Sequence, residues 1–532
     1  MQEMDQEPLY PIGEQSFENI RREGALYVDK TDLVYKMTHK YRMVFLSRPR
    51  RFGKTLLTRT MQCYFEGKRE LFAGLAMEQL EKEWTTYPVF RFDFGNVKGG
   101  VLQGLKDELN RQLNKYERLY GAGKDETSPG RRLNGMMQRA YEQTGQKVVV
   151  LVDEYDAPML EVLTKPNRIQ EVRDTMRDFY SQIKNCDECI RFAFLTGIST
   201  FSQLGMFSEL NNLKNISNLD DYASICGITV QELKDNFQYG IRQFAEKESC
   251  TPDKIIEKLR NQYDGYHFTD ALVDVFNPFS LLNAFSDCKM DSYWFQSGTP
   301  TLAINMLKAH KGEWKFDIED IDGTAPVALS RFNTPLEQAT EPLPFLYQAG
   351  YLTIKSLSES KYVLGVPNAE VRVGLLRNLI PLYSAMNPAD AYDVSFDISS
   401  ALSKGDYDRA LRCVQSFMAG IPVMQGEKSA LKDIKARETY YHKQLFIIFR
   451  LLHEDAWADV SQAVGKPDIV VRTKKYIYII EVKMDSTPEA ALQQLEYMQY
   501  AVPYAMDGRE LIKLGVNFSS KKRTIEEWKR GE

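Results

Sequence analysis

The run from Met43 to Thr55 restricts this chain more than any other stretch. Four apolar residues, Met43-Val-Phe-Leu46, lead into a tight basic turn, then Gly53-Lys54-Thr55, then the helical pattern Leu56 to Gln62. Strand, loop and helix in that order is the setting a phosphate-binding loop requires. Backbone N–H groups at the helix start cradle phosphate oxygens, Lys54 places positive charge on them, and the Thr55 hydroxyl can ligate Mg²⁺. In the pattern G-x-x-x-x-G-K-[ST] the first glycine falls at Arg48, and Pro49 removes one backbone donor. A basic turn opening an ordinary helix is the plainer alternative.

A chain of 532 residues is too long for one core, and about three domains are expected. Net charge −5 gives no global nucleic-acid signature, so any such contact must come from local patches such as Arg48, Arg50 and Arg51. The first residues are acidic and carry no apolar core, which speaks against a secretory signal. No apolar run of about 18 residues is present, so no membrane span is expected and the cytoplasm is the expected compartment. Seven scattered cysteines, an odd number, suit a reducing compartment. Cys186 and Cys189 have ligand spacing, but no second pair follows, so free thiols are the reading.

Along the chain, Pro88 to Phe94 alternates apolar and polar and reads as a strand, followed by a helix near 101–119 and another near 131–143. Lys147 to Asp156 is the second informative stretch. Its continuous β-branched run fits a strand buried on both faces of a parallel sheet. The run ends in two carboxylates, an arrangement suited to phosphoryl transfer. Asp153 would hold Mg²⁺ through water and Glu154 would polarise the attacking water. A solvated acidic turn leaves the five apolar residues before it unexplained. A further strand, Ile190 to Thr196, ends in Thr196-Gly-Ile-Ser199, whose hydroxyls could sense a γ-phosphate.

A strand between the two phosphate motifs, with Glu154 beside Asp153, points to the additional-strand ATPase division. Arg48-Pro-Arg-Arg-Phe-Gly-Lys-Thr55, Tyr27-Val-Asp-Lys-Thr31, Leu151-Val-Asp-Glu-Tyr-Asp156 and Phe207-Ser-Glu-Leu-Asn-Asn-Leu213 resemble the bacterial AAA-ATPase-like family over about residues 8–290. The resemblance implies that the missing first glycine is a family trait. It also implies ATP bound by Arg50, Arg51, Phe52, Gly53, Lys54, Thr55, Asp153 and Thr196, with Thr55 and Asp153 on Mg²⁺ and Glu154 catalytic. Tyr263-Asp-Gly-Tyr-His-Phe268 closes an amphipathic helical stretch that resembles the family's lid, and Asn277-Pro-Phe-Ser and Tyr293 to Pro300 continue the likeness. His267 reads as a packed ring. Helices followed by Tyr351–Ile354 and Lys361–Gly365 suggest a winged-helix-like module, and Asp406–Met418 a helical connector.

The character changes again at Glu438, which opens a strong helix to Leu452. A short β segment near Ala456–Ser461, a strand after Gly465-Lys-Pro-Asp468, a strand Tyr476–Lys483 and a helix opened by Pro488 follow. Glu481 and Lys483 lie two apart on a strand, so they share a face. With Asp468 they form a hard-oxygen site for Mg²⁺ or Mn²⁺ beside a lysine, suited to metal-assisted phosphodiester hydrolysis. An ordinary hairpin with charges on one face is the plainer alternative. The order of these elements, Pro467-Asp468 with Glu481-Val-Lys483, and Ala491-Leu-Gln-Gln-Leu495 resemble the PD-(D/E)XK nuclease fold over about 430–530. On that resemblance Glu438, Asp468 and Glu481 are the acidic set, with Asp468 and Glu481 on the metal. Lys483 is then the catalytic lysine and Gln494 a supporting residue.

The expected architecture is α/β. A P-loop additional-strand ATPase core spans 8–220, a helical lid 221–290, a winged-helix-like middle 291–390, a helical connector 391–435 and a PD-(D/E)XK restriction-endonuclease-like domain 436–532. The expected activity is ATP hydrolysis coupled to metal-dependent cleavage of a nucleic acid, with DNA the favoured partner and a homo-oligomer open. Resemblance to fused ATPase–nucleases implies a role in defence or mobile-element biology. The alternative is a nucleotide-switched regulatory or scaffold protein whose nuclease-like domain binds a nucleic acid or protein partner without cutting. Remodelling of a protein partner is a third option.

Overall fold

The computed structural model describes residues 7–97, 101–200, 212–296, 301–310, 323–383, 388–419, 445, 448–450, 452, 456–460 and 467–531. The chain forms two compact units, one of residues 1–316 with 320–372 and one of 317–319 with 373–532. Each has its own sheet.

In the first unit the apolar run Met43–Ser47 is β1, and Lys54–Phe65 is α1. The alternating segment forms β2 (Val89–Asp93), followed by α2 (Val101–Tyr120) and α3 (Pro129–Thr144). The β-branched run is β3 (Val148–Asp153), then come α4 (Pro166–Asn185), β4 (Ile190–Gly197) and the short β5 (Lys214–Asn215). All neighbours are parallel, in the order β2-β3-β4-β1-β5. Every residue of β3 is buried, as a sheet covered on both faces demands, whereas the edge strand β2 alternates.

Leu105, Leu109 and Leu113 of α2, Met136 of α3 and Met176 and Phe179 of α4 join Phe90, Phe92, Val148 and Val150 in one core. Each such side chain contributes roughly 1.5–3 kcal/mol on burial. On the other face Leu57, Met61 and Phe65 of α1 are buried, and Phe65 stacks on Phe192 of β4 at 5.4 Å. The strand that follows the loop in sequence, β2, lies at the edge of the sheet. The strand inserted in space between β1 and β3 is β4.

Beyond the sheet come α5 (Val230–Asn236), α6 (Gln238–Lys247), α7 (Pro252–Tyr263) and α8 (Pro278–Asp287). Their starts are written in the sequence. Thr229 and Glu232 form a capping box, and Thr251-Pro252 and Asn277-Pro278 pair a capping side chain with proline in the first turn. Leu233, Phe237, Leu259, Tyr263 and Phe285 make a separate core that also takes in Tyr10, Leu26 and Val28. After α9 (Leu343–Gln348), β6 (Thr353–Ser358) and β7 (Lys361–Gly365) pair antiparallel. His267 is held at both ring nitrogens, 2.7 Å from the Ile354 carbonyl and 2.6 Å from Asp274 Oδ1. The helix α10 (Ala369–Tyr383) follows.

The second unit takes in α10 from Val373 onward, then α11 (Pro388–Ser403) and α12 (Tyr407–Ala419), which fall largely in the stretch 391–435 expected to act as a connector. These helices are built into the unit. Tyr478 Oη donates to Leu402 O at 2.7 Å, Gln415 Nε2 donates to Ile525 O at 2.7 Å, and Gly405 (φ 83) lies where a Cβ would stand 2.8 Å from Tyr476 Oη. The sheet runs β12-β11-β10-β9-β8, from β8 (Ala456–Val460), β9 (Ile469–Thr473), β10 (Tyr476–Met484), β11 (Glu510–Ser519) and β12 (Thr524–Arg530). Only β10–β11 is parallel. That connection is made by α13 (Pro488–Tyr497), capped by Thr487, and Leu495 packs on Val470, Ile477 and Ile479. Glu438, Phe207–Asn211 and Ser297–Pro300 lie outside the described residues. Among the described residues no helix is long and apolar enough to cross a membrane.

Candidate functional site

Two places gather chemistry, one in each unit. In the first, β1 delivers the chain to Arg48, which stands where a glycine is usual. Its guanidinium is buried and donates to the carbonyls of Ser47 (2.9 Å), Ser217 (2.8 Å) and Tyr222 (3.2 Å). The loop then passes through Arg51 in the left-handed region (φ 70) and reaches Gly53 (φ 88), the cap of α1. A Cβ at Gly53 would meet nothing within 4 Å, so backbone conformation, not crowding, asks for glycine there. Lys54 is buried, donates to Pro49 O at 3.1 Å and lies 3.9 Å from Glu154 Oε1. Its positive charge therefore rests on the loop itself.

Facing the loop is the acidic end of β3. Asp153 is fully buried, and its Oδ1 accepts the Glu154 N–H at 3.0 Å. Its Oδ2 is buried with no hydrogen-bond partner among the described residues. Burial first, and then the charge of Glu154, push the Asp153 carboxyl up to about 6; the nearby Thr55 hydroxyl pulls the other way. Glu154 is itself in the left-handed region (φ 49). Such a conformation in a non-glycine residue marks a place the surroundings fix. Asp156, the neighbouring acid, accepts the Ile198 N–H at 3.1 Å and the Ser199 N–H at 2.5 Å, so it ties down the end of β4. Thr196 is buried, and its hydroxyl donates to Leu46 O at 2.7 Å.

One acid escaped the sequence reading. Asp93 ends β2 in register with Asp153, and its charge adds to the rise of the Asp153 carboxyl. The signal was available, since Asp93 closes an alternating strand just as Asp153 closes its own. What the sequence alone withheld was that the two strands are neighbours.

In the second unit, β9 and β10 pair with Ile469 opposite Ile480, which brings Asp468 and Glu481 together. Asp468 Oδ2 accepts the Val482 N–H at 2.8 Å. Glu481 Oε1 accepts from Gln494 Nε2 at 2.5 Å and lies 3.3 Å from Lys483 Nζ. Its Oε2 is buried with no hydrogen-bond partner among the described residues. Burial and then the charge of Asp468 push the Glu481 carboxyl up to about 7, with Lys483 opposing. Gln494 reaches Glu481 because α13 lies close on β11: a Cβ at Gly515 would stand 2.2 Å from Pro488 O. Asn517, opposite Lys483 in the β10–β11 register, accepts the Ser486 N–H at 2.9 Å and fixes the exit of β10.

The orphaned oxygens bear on whether cations fit. A buried carboxylate oxygen without a donor is costly unless a cation or proton meets it. Both Asp153 Oδ2 and Glu481 Oε2 suit a hard divalent ion, and each has a second acid nearby. Among the described residues no group of three or more His, Cys, Asp or Glu is placed to hold a metal ion together, and Glu438 lies outside them.

Comparison with known proteins adds three findings. Residues 11–207 match a family model described as a predicted AAA-ATPase, and residues 436–528 match one described as the PD-(D/E)XK nuclease superfamily. An uncharacterized protein in the vnfD 5' region of Azotobacter chroococcum mcd 1 is 33% identical over 526 residues, covering 97% of each chain.

Proposed function

Because this chain belongs to the family of predicted AAA-ATPases that carry a C-terminal PD-(D/E)XK nuclease-superfamily domain, we propose that it binds and hydrolyses ATP and uses that cycle to govern metal-dependent cleavage of DNA. The observation that carries the cleavage reading is the carboxylate of Glu481, with one oxygen held by Gln494 and Lys483 and the other buried and unmet. A hairpin with merely solvated charges has no reason to bury such an oxygen.

In this reading Asp468 and Glu481 hold Mg²⁺ or Mn²⁺, with Glu438 completing the acidic set. Bound there, the ion would supply Lewis-acid stabilisation of the phosphate and a more acidic water. Lys483 presents its ammonium to the attacked phosphate and the attacking water. Gln494 keeps Glu481 turned so that one oxygen stays open. In the first unit Arg50, Arg51, Phe52 and Gly53 form the cradle, and Lys54 leaves the Pro49 carbonyl for the phosphates. Thr55 and Asp153 hold the nucleotide's Mg²⁺, and Glu154 orients water. Thr196 senses the γ-phosphate through its tie to Leu46, which leads into the loop. The cytoplasm as compartment is supported by seven cysteines that are all free thiols.

The test is one assay on the purified chain: plasmid and single-stranded DNA with Mg²⁺ or Mn²⁺, with and without ATP. Cleavage that needs the metal and changes with ATP is expected. Binding of DNA without cutting, in every metal, would instead support a nucleotide-switched binding protein.

A further inference from the structure

We propose that Phe52 and Arg48 are positioning residues of the phosphate loop, gripped by an aromatic socket of Tyr266 and Phe268 that sets nucleotide affinity from outside the loop. The proposal rests on the phosphate-loop reading above and deepens it.

A glycine-rich loop takes its shape because its residues tolerate the backbone it needs. This loop has replaced that freedom with bulk, and each bulky side chain has a seat. Phe52 is buried edge-on between Tyr266 (ring centroids 4.8 Å) and Phe268 (5.3 Å). The Arg48 guanidinium lies 4.4 Å over the Phe268 ring while its Nη atoms hold three carbonyls. Pro49 packs against Gly350, where a Cβ would stand 2.8 Å from the proline Cβ, and Arg51 stacks 4.7 Å over Phe279. Between these seats Arg51 sits at φ 70, a conformation that persists in a non-glycine residue only where surroundings over-determine it.

Phe268 therefore serves two loop residues at once. Its neighbour His267 is fastened to β6, through the Thr353 hydroxyl (2.7 Å from His267 N) and the Ile354 carbonyl. The socket is thus anchored on the hairpin and not on the loop it grips. If the socket loosens, the loop samples shapes in which its amides no longer converge, and nucleotide must spend binding energy to reassemble them. That cost falls on affinity, since the bound loop is the same in both cases.

The experiment compares Phe52→Leu, Tyr266→Leu and Phe268→Leu with Phe268→Tyr in the full chain. The probe is MgATP, read by calorimetric Kd and by steady-state hydrolysis. The leucine variants stay apolar and lose the ring. They are expected to raise Kd and KM about tenfold with kcat within about twofold of the parent, and Phe268→Tyr, which keeps the ring, to stay within about twofold in KM. Should one leucine variant not fold, the other two carry the same expectation. A purely structural role would lower kcat through the active fraction and leave KM unmoved, and that result overturns the proposal. Lys54→Ala runs beside them. If the parent binds MgATP, Lys54→Ala does not and the leucine variants bind like the parent, the socket idea falls alone. If the parent shows no affinity for MgATP, the phosphate-loop reading falls and the socket with it.

Discussion

The acid ends of β3 and β10 solve the same problem with opposite placement of the cation. Asp153 and Glu481 are both buried, both carry an oxygen with no donor, and both are pushed toward neutrality by burial and a neighbouring carboxylate. At Glu481 the lysine is already in place, 3.3 Å away on the same strand face. At Asp153 the lysine stands apart, spent on Pro49 O and near Glu154. On the proposed function, the second site would be prepared for a metal ion and a substrate that arrives afterwards. The first is left divided, and a triphosphate with its own Mg²⁺ is the ligand that would bridge the halves. On the proposed function, the lysine beside the acid would serve chemistry and the lysine held away from it would serve binding.

Removing each lysine is the sharpest way to break that contrast. Lys54→Ala is expected to abolish ATP binding by calorimetry. Lys483→Ala is expected to abolish cleavage while keeping the rise in melting temperature that Mg²⁺ or Mn²⁺ gives without nucleotide. Asp468→Ala and Glu481→Ala should lose that rise, because ligation stabilises only the state that binds. A Lys483→Ala protein that still cuts, or an Asp468→Ala protein with the full metal shift, would refute the second site.

Next in size is Glu154→Gln. The amide keeps the shape and cannot polarise water, so turnover should fall by about two to four orders of magnitude with ATP still bound. Unchanged turnover would move the role elsewhere, and Asp156 is poorly placed to inherit it because its oxygens are engaged by Ile198 and Ser199.

A smaller effect concerns stability. The Glu481 carboxyl is raised from 4.5 to about 7, so the folded state binds that proton more tightly than the unfolded state. Stability is then greatest below the ordinary carboxylate range and is lost as pH rises toward 7. In chelator, Glu481→Gln should be more stable than the parent at pH 8 by on the order of 1–2 kcal/mol and no more stable at pH 4. Thermal melts at the two pH values check the sign. Smallest of all, Asp93→Asn should lower the Asp153 carboxyl by removing one of its like charges. The acid limb of the ATPase pH profile should move down, with MgATP affinity changed by less than about tenfold. An unmoved limb would mean that Asp93 is not part of the site.

The local pieces of both sites were readable because they are local. Met43–Thr55 and Lys147–Asp156 announce strand, loop and acid by pattern, and Glu481 and Lys483 share a face because strands have a period of two. What was not readable depends on crossovers. No pattern in Ile190–Gly197 says that this strand lies between β1 and β3, or that Asp93 will stand beside Asp153. Phe52 was read as part of the nucleotide cradle, but its seat against Tyr266 and Phe268 was not readable because those rings lie far along the chain. The helices Pro388–Ser403 and Tyr407–Ala419 read as a connector since amphipathicity reveals a buried face but not what buries it.

The insertion of β4 also has a consequence in time. The bond from Thr196 to Leu46 spans 150 residues, and β1 has no route to β3 except through β4. At ordinary rates of synthesis, roughly 8–30 s separate the emergence of the two partners from the ribosome. Until then β1 and β3 each present an unpaired edge of mostly apolar residues, the kind of surface that recruits foreign strands. A nascent chain arrested before Ile190 should therefore lean on chaperones and bind no ATP, and one released just past Gly197 should be the shortest able to close the gap between those edges.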